Sequence, residues 1–201
     1  VHGVVITLAR ARMLANGAPS DCQIEVAAPA ASTASTAKPG AEPCGAGGGA
    51  TPDVAEGAPI KAEQVFNGFG CSGGNVSPAL NWTGAPAGTK SFALIVHDPD
   101  APTGVGGFTH WIVYNIPATA TGFQKGSVPA GAVQAPTSFG AQGWGGPCPP
   151  AGDKPHRYVF TLYALNAETL TLPPTPTQAL AGFTINGAKV ATATLTAQYG
   201  R

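Results

Sequence analysis

The chain has 201 residues, of which 43% are hydrophobic and only 10% charged, with a formal net charge of zero. That length suits one domain with a tail or insertion, and the apolar fraction is enough to fill a core. So few charges, evenly balanced, exclude a nucleic-acid surface, which needs clustered Lys and Arg, and a polybasic membrane anchor. No apolar run is long enough to span a bilayer as a helix, so no transmembrane segment is expected. The 28 glycines and 20 prolines rule out a mostly helical chain and point to short strands joined by long, turn-rich loops.

In chain order, residues 3–14 begin with a β-branched run and continue with alternation, which predicts a strand, and residues 22–28 predict a second, shorter one. Residues 29–59 are Ala, Ser, Thr, Pro and Gly with almost nothing to bury, the composition of a linker or long surface loop. Cys44 lies within that stretch, and a bridge to Cys22 would pin it to the N-terminal strand. Residues 90–97 (KSFALIVH), 109–116 (THWIVYNI, stopped by Pro117) and 157–165 (RYVFTLYAL) each predict a strand. The stretch 118–156, rich in Gly and Pro, is too long for a hairpin turn. Residues 177–197, rich in Ala, Leu and Thr, predict a helix whose apolar face carries Phe183, Gly187, Val190 and Leu195. The four cysteines, Cys22, Cys44, Cys71 and Cys148, fit no zinc motif. They suit either two disulfides in an oxidising compartment or free thiols in the cytosol.

Three polar clusters sit at the ends of apolar strands. HDPDAPTG (97–104) follows the first, with Pro99 and Pro102 stiffening a turn that holds Asp98 and Asp100. His110 opens the second strand, and PHRY (155–158) opens the third. A DPDAP turn alone can simply cap a strand, and a lone His at a strand start is more often structural than a ligand. Two such histidines with a rigid carboxylate pair shift the balance toward a site. Its chemistry suits anion recognition: a carboxylate that accepts from one imidazole nitrogen leaves the other to donate to a ligand, with Tyr158 and backbone N–H groups adding donors. The carboxylates could also meet the amine of a zwitterionic ligand. The competing readings are a hydrolase and a metal site. No GxSxG elbow is present and Ser72 and Ser77 lack a motif; His97, His110, His156 and Asp98 lack HxH or HExxH spacing.

Three long segments, NVSPALNWTGAPAGTKSFALIVHDPDAPTG (75–104), HWIVYNIPA (110–118) and GWGGPCPPAGDKPHRYVFTLYAL (143–165), resemble in order the phosphatidylethanolamine-binding protein (PEBP) family, in its bacterial and archaeal Raf-kinase-inhibitor-like branch. FNGFGCSGGN (66–75) and AQYGR (197–201) are similar too, so the resemblance covers about residues 60–201 of a single domain spanning 1–201. It implies a mainly β fold: a large central antiparallel sheet, a smaller sheet packed on it, and short helical structure near the C-terminus. It also implies a pocket for phosphate, phosphoethanolamine or a phospholipid head group, formed by Asp98, His110, His156 and Tyr158 with Pro147 at the rim. Asp100 and Pro99 support the turn. Family members are generally not enzymes, so no catalytic residue, metal or cofactor is expected. Some inhibit kinases or serine proteases, which makes a protease or kinase partner, engaged through the rim loops, the alternative function. The family's C-terminal histidine is absent, its place being taken by about Ala188. A Cys71–Cys148 bridge would tie the long loop to the pocket rim and leave Cys22–Cys44 as a second pair. The bridges and the low-complexity stretch imply an exported protein, periplasmic, surface-bound or secreted, with a cytoplasmic one as the alternative; Val1 suits a chain whose signal peptide has been removed.

Overall fold

A computed structural model describes residues 53–201. The strands expected at 3–14 and 22–28, most of the low-complexity stretch and the Cys22–Cys44 pair lie outside the described residues. From Asp53 onward, nine strands and one helix follow: β1 (Asn67–Gly68), β2 (Cys71–Ser72), β3 (Leu80–Asn81), β4 (Ser91–Asp98), β5 (Phe108–Pro117), β6 (Gly122–Phe123), β7 (Val133–Gln134), β8 (His156–Leu165), α1 (Gln178–Ala188) and β9 (Lys189–Tyr199). The central sheet has the order β7-β5-β4-β8-β9 and all its pairings are antiparallel. Two small ribbons, β1–β2 and β3–β6, accompany it.

β4 reads as one unbroken apolar run because it is the middle strand and is covered on both faces. Phe92, Leu94 and Val96 point to one side, where Trp111, Val113, Phe160, Leu162 and Leu195 join them under the β3–β6 ribbon through Leu80, Trp82 and Phe123. Ala93 points to the other side, into a smaller core with Ile112, Tyr114, Leu165 and Leu170, closed by Ala181 and Ile185 of α1. The result is the mainly β fold expected: a large antiparallel sheet with a small ribbon on one face and a helix on the other.

Two boundaries differ from expectation. The helix predicted over 177–197 stops at Ala188, and Lys189–Tyr199 forms a strand that pairs along nearly all of β8. Ala193, Leu195 and Ala197 are buried while Thr194 and Gln198 are exposed, a period of two rather than 3.6. The stretch 29–59 is likewise not wholly linker. Val54 enters the main core, the Asp53 carboxylate accepts the Ala79 N–H at 3.0 Å, and residues 57–60 hydrogen-bond along the outer edge of β9. That cover occupies backbone groups an edge strand would otherwise expose.

Candidate functional site

The first core face ends where β4 stops, β8 starts and β5 is irregular. There a cavity of about 200 Å³ is lined by Asp98, His110, His156 and Tyr158, walled by Phe69, Phe108 and Phe139, and bounded by Ala101–Thr103 and Cys148–Pro150.

Asp98 is the last residue of β4 and is 2% exposed. Its Oδ1 accepts the N–H groups of Asp100 (2.8 Å) and Ala101 (3.1 Å). Pro99 between them has no N–H to compete and a fixed φ, so the Asx turn is stiff. The other oxygen, Oδ2, accepts from His156 Nδ1 at 2.7 Å. Asp98 thus ties the turn and the His156 ring together through its two oxygens. Asp100 points elsewhere: it takes the Arg157 guanidinium in a two-pronged bond (2.9 and 2.7 Å) and the Arg157 N–H at 2.9 Å, which holds its carboxyl down at about 2. That pair fastens the DPDAP turn to β8 from outside the cavity.

His110 reaches the cavity by a β-bulge. β4 and β5 pair Asp98 with Phe108 and His97 with Thr109, but Val96 with Trp111, which leaves His110 as an extra residue on β5. Asp98 and Val96 share a face, so Phe108 and Trp111 share it too. Alternation from Phe108 brings His110 to that face, and Trp111 follows it there. Unbroken alternation from Trp111 would have put the imidazole on the opposite side. There, instead, His97 bonds Thr109 Oγ1 (3.2 Å) and the Gly106 carbonyl (2.9 Å), away from the cavity.

The His110 ring is fixed from behind. Nδ1 donates to the Gly145 carbonyl at 2.7 Å, and the Gly145 N–H returns a bond to the His110 carbonyl at 3.0 Å. A carbonyl only accepts, so Nδ1 carries the proton, and in the neutral ring Nε2 presents a lone pair. Burial pushes the His110 pKa down to about 4, against opposing pulls from the Gly145 carbonyl and Asp98. The neutral ring therefore offers an acceptor to a ligand, not the donor that the residue types alone suggested.

Tyr158, two residues after His156, lies on the same face of β8. It is fully buried, and its hydroxyl has no hydrogen-bond partner among the described residues. Burial first, and the Asp98 charge second, raise its pKa well above the usual tyrosine range, so it is a neutral donor. An unpaired buried hydroxyl costs about 1–3 kcal/mol. Tyr158→Phe is therefore expected to leave the stability of the fold unchanged or slightly raised. Denaturant unfolding of that variant beside the parent checks it.

Pro147 does not line the cavity: it is buried and its carbonyl accepts the Phe66 N–H, while Pro149 and Pro150 are the prolines of that loop in the lining. Ser72 and Ser77 do not line the cavity, and neither does any residue of α1, where Ala188 packs on the second core. Cys71 and Cys148 form a disulfide that joins the β1–β2 ribbon to the cavity wall. The aromatic wall escaped sequence reading. Phe139 stacks on Phe66 (centroids 4.5 Å apart) and meets Phe108 and His110 edge-on (4.7 and 5.6 Å). Its only signal was a phenylalanine in a glycine-rich loop.

GWGG (143–146) also gains a physical reason. A Cβ on Gly146 would lie 2.1 Å from the Gln64 carbonyl oxygen, so only glycine lets this wall close onto residues 64–66. Asn75 Oδ1 accepts the Gly146 N–H (2.8 Å) and Trp144 Nε1 donates to the Gln64 carbonyl (3.0 Å), locking the two glycine-rich motifs together.

The family model described as phosphatidylethanolamine-binding protein matches residues 50–200. The chain belongs to that family. Over 154 residues it is 49% identical to the UPF0098 protein YbcL of Escherichia coli K12, an alignment covering 73% of this chain and 84% of YbcL. The crystal structure of E. coli YbcL, described as a new member of the mammalian PEBP family, superposes with a TM-score of 0.72 at 47% identity, covering 74% of this chain and 94% of that one. A "Putative lipoprotein LppC" of Mycobacterium tuberculosis H37Rv is 45% identical over 141 residues, 70% of this chain and 64% of LppC. Among the described residues of this PEBP-family chain, no helix is long and apolar enough to cross a membrane.

Proposed function

We propose that the protein binds, without turnover, a small phosphorylated or zwitterionic molecule such as phosphate or phosphoethanolamine in the cavity around Asp98, His110 and His156. The observation that carries this reading is the fully buried Tyr158 hydroxyl, unpaired among the described residues and set beside a rigid Asp98–His156 pair in a cavity of that size. A buried polar group without a partner needs a physical account, and one whose side chain lines a cavity can be completed by a group bound there. The family match to phosphatidylethanolamine-binding protein supports the same ligand class. Absence of turnover is part of the proposal: neither Ser72 nor Ser77 lines the cavity to act as a nucleophile.

The reading also places the protein outside the cytosol, in keeping with the Cys71–Cys148 disulfide and with LppC among its relatives. Calorimetric titration with phosphoethanolamine tests the binding reading. Saturable binding is expected, weakened about tenfold or more in His110→Ala through loss of one buried polar contact. Unchanged binding in that variant, or release of product from a phosphoester substrate, would remove the reading.

A further inference from the structure

The segment 143–146, which fixes His110 through Gly145, also lines a second cavity through Gly143 and Trp144. This cavity measures about 320 Å³ and shares no lining residue with the first. That size lies within the range of small-molecule sites, about 300–1,000 Å³. No Lys, Arg, His, Asp or Glu lines it among the described residues. Neighbouring Lys125 directs its ammonium to Glu63 and Asp53, at 2.8 and 3.3 Å.

Its polar groups are neutral and short of partners. Ser77 is 7% exposed, and its hydroxyl makes no hydrogen bond among the described residues. Gln134 Oε1 accepts the Trp111 indole N–H at 2.7 Å. An indole nitrogen only donates, so this bond fixes which end of the amide is oxygen and leaves both Gln134 Nε2–H groups over. Asn75 is held in the same sense: Oδ1 accepts the Gly146 N–H at 2.8 Å, while Nδ2 reaches the Trp144 carbonyl only at 3.5 Å. The exposed Ser127 hydroxyl, also unpaired among the described residues, adds a group that both donates and accepts. Trp144 is half-buried and its Nε1–H is committed to the Gln64 carbonyl, so what it offers a ligand is its ring.

A charged ligand would find no counter-charge here. A wholly apolar one would cover the Ser77 hydroxyl and the Gln134 amide without giving them partners. A ligand with hydroxyls around its edge and C–H groups on its faces meets both conditions. The hydroxyls bond the serine hydroxyls and amide N–H groups, and the C–H face packs on the indole, whose π face is negative. Going beyond the anion reading, we infer that this cavity is a second binding site, for the pyranose ring of an uncharged saccharide. An extended peptide is read chiefly by main-chain pairing along a strand edge, whereas the free groups here belong to side chains.

The test is an NMR titration of the whole protein with D-glucose, N-acetyl-D-glucosamine and a blocked, uncharged dialanine peptide, each at millimolar concentrations. At least one of the two sugars should shift the Trp144 indole, Ser77 amide and Gln134 side-chain amide signals saturably. Ser77→Ala removes a hydroxyl that bonds nothing in the fold, so the variant should fold normally and bind that sugar about fivefold or more weakly. Its phosphoethanolamine titration should match the parent's, because Ser77 does not line the first cavity. The sugar readout stands whether or not phosphoethanolamine binds, so this inference and the proposed function fail separately. No shift of these signals by either sugar, equal sugar affinity in Ser77→Ala, or tighter binding of the peptide than of both sugars would overturn the inference.

Discussion

Loss of the Cys71–Cys148 bridge is expected to cost the folded state about 4 kcal/mol. The bridge spans a sequence separation of 77 residues, and the chain-entropy relation gives roughly that value for a loop of this size. For a folded unit of this size the change corresponds to a fall of roughly 10 °C in Tm. The double variant Cys71→Ala/Cys148→Ala removes the bridge without leaving reactive thiols, and thermal unfolding of it beside the reduced parent reads the effect. The cavity should survive better than the stability does. The wall around Cys148 is also held by the Phe66–Pro147 backbone bond, the Asn75–Gly146 bond and the Arg201 guanidinium on the Pro149 carbonyl at 2.7 Å. Phosphoethanolamine affinity is therefore expected to drop only a few-fold below the melting temperature. A double variant that melts within about 2 °C of the parent would show that the bridge does not constrain the unfolded chain.

The strands that build the site were legible because their signals are local. KSFALIVH, THWIVYNI and RYVFTLYAL each combine β-branched and aromatic residues over a strand's length, and each has a polar residue in it or next to it where the strand meets the cavity: Asp98 just after the first, His110 in the second, His156 just before the third. Asp98, His110, His156 and Tyr158 were found that way and do come together. Residues 189–199 were harder because Ala and Leu are helix formers. The period-two order of Thr192, Thr194 and Thr196 against Ala193, Leu195 and Ala197 was the better guide, and pairing with β8 overrides the propensity.

What no local pattern carried was the long-range geometry. The bulge at His110 depends on how β4 and β5 pair, and the tautomer depends on a carbonyl 35 residues away. The aromatic wall arises because Gly146 allows the loop onto residues 64–66. Each of these is a contact between segments distant in sequence. Together they turn a plausible donor set into a site whose free ring nitrogen accepts.

Asp98→Ala is expected to be the most damaging single change, because Asp98 joins the turn, the second histidine and the cavity. Removing the carboxylate strands three buried or half-buried donors at once: the Asp100 and Ala101 N–H groups and His156 Nδ1. Breaking a buried hydrogen-bonded pair from one side costs about 3–5 kcal/mol, more than the pair's net contribution, because its partners stay buried and unpaired. Asp98→Asn separates this cost from mere loss of charge. Its amide oxygen can still accept the two turn N–H groups, and its amide nitrogen would then face His156 Nδ1. The ring can meet that donor by moving its proton to Nε2, so the loss should fall to about 1–2 kcal/mol. The moved proton is visible by nitrogen NMR of His156, and it would place a new donor beside Asp153, whose Oδ2 lies 3.5 Å from Nε2. Denaturant unfolding of both variants decides the matter. If the alanine variant is no less stable than the asparagine one, Asp98 is not what holds the turn to His156, and the rigidity assigned to the site has another source.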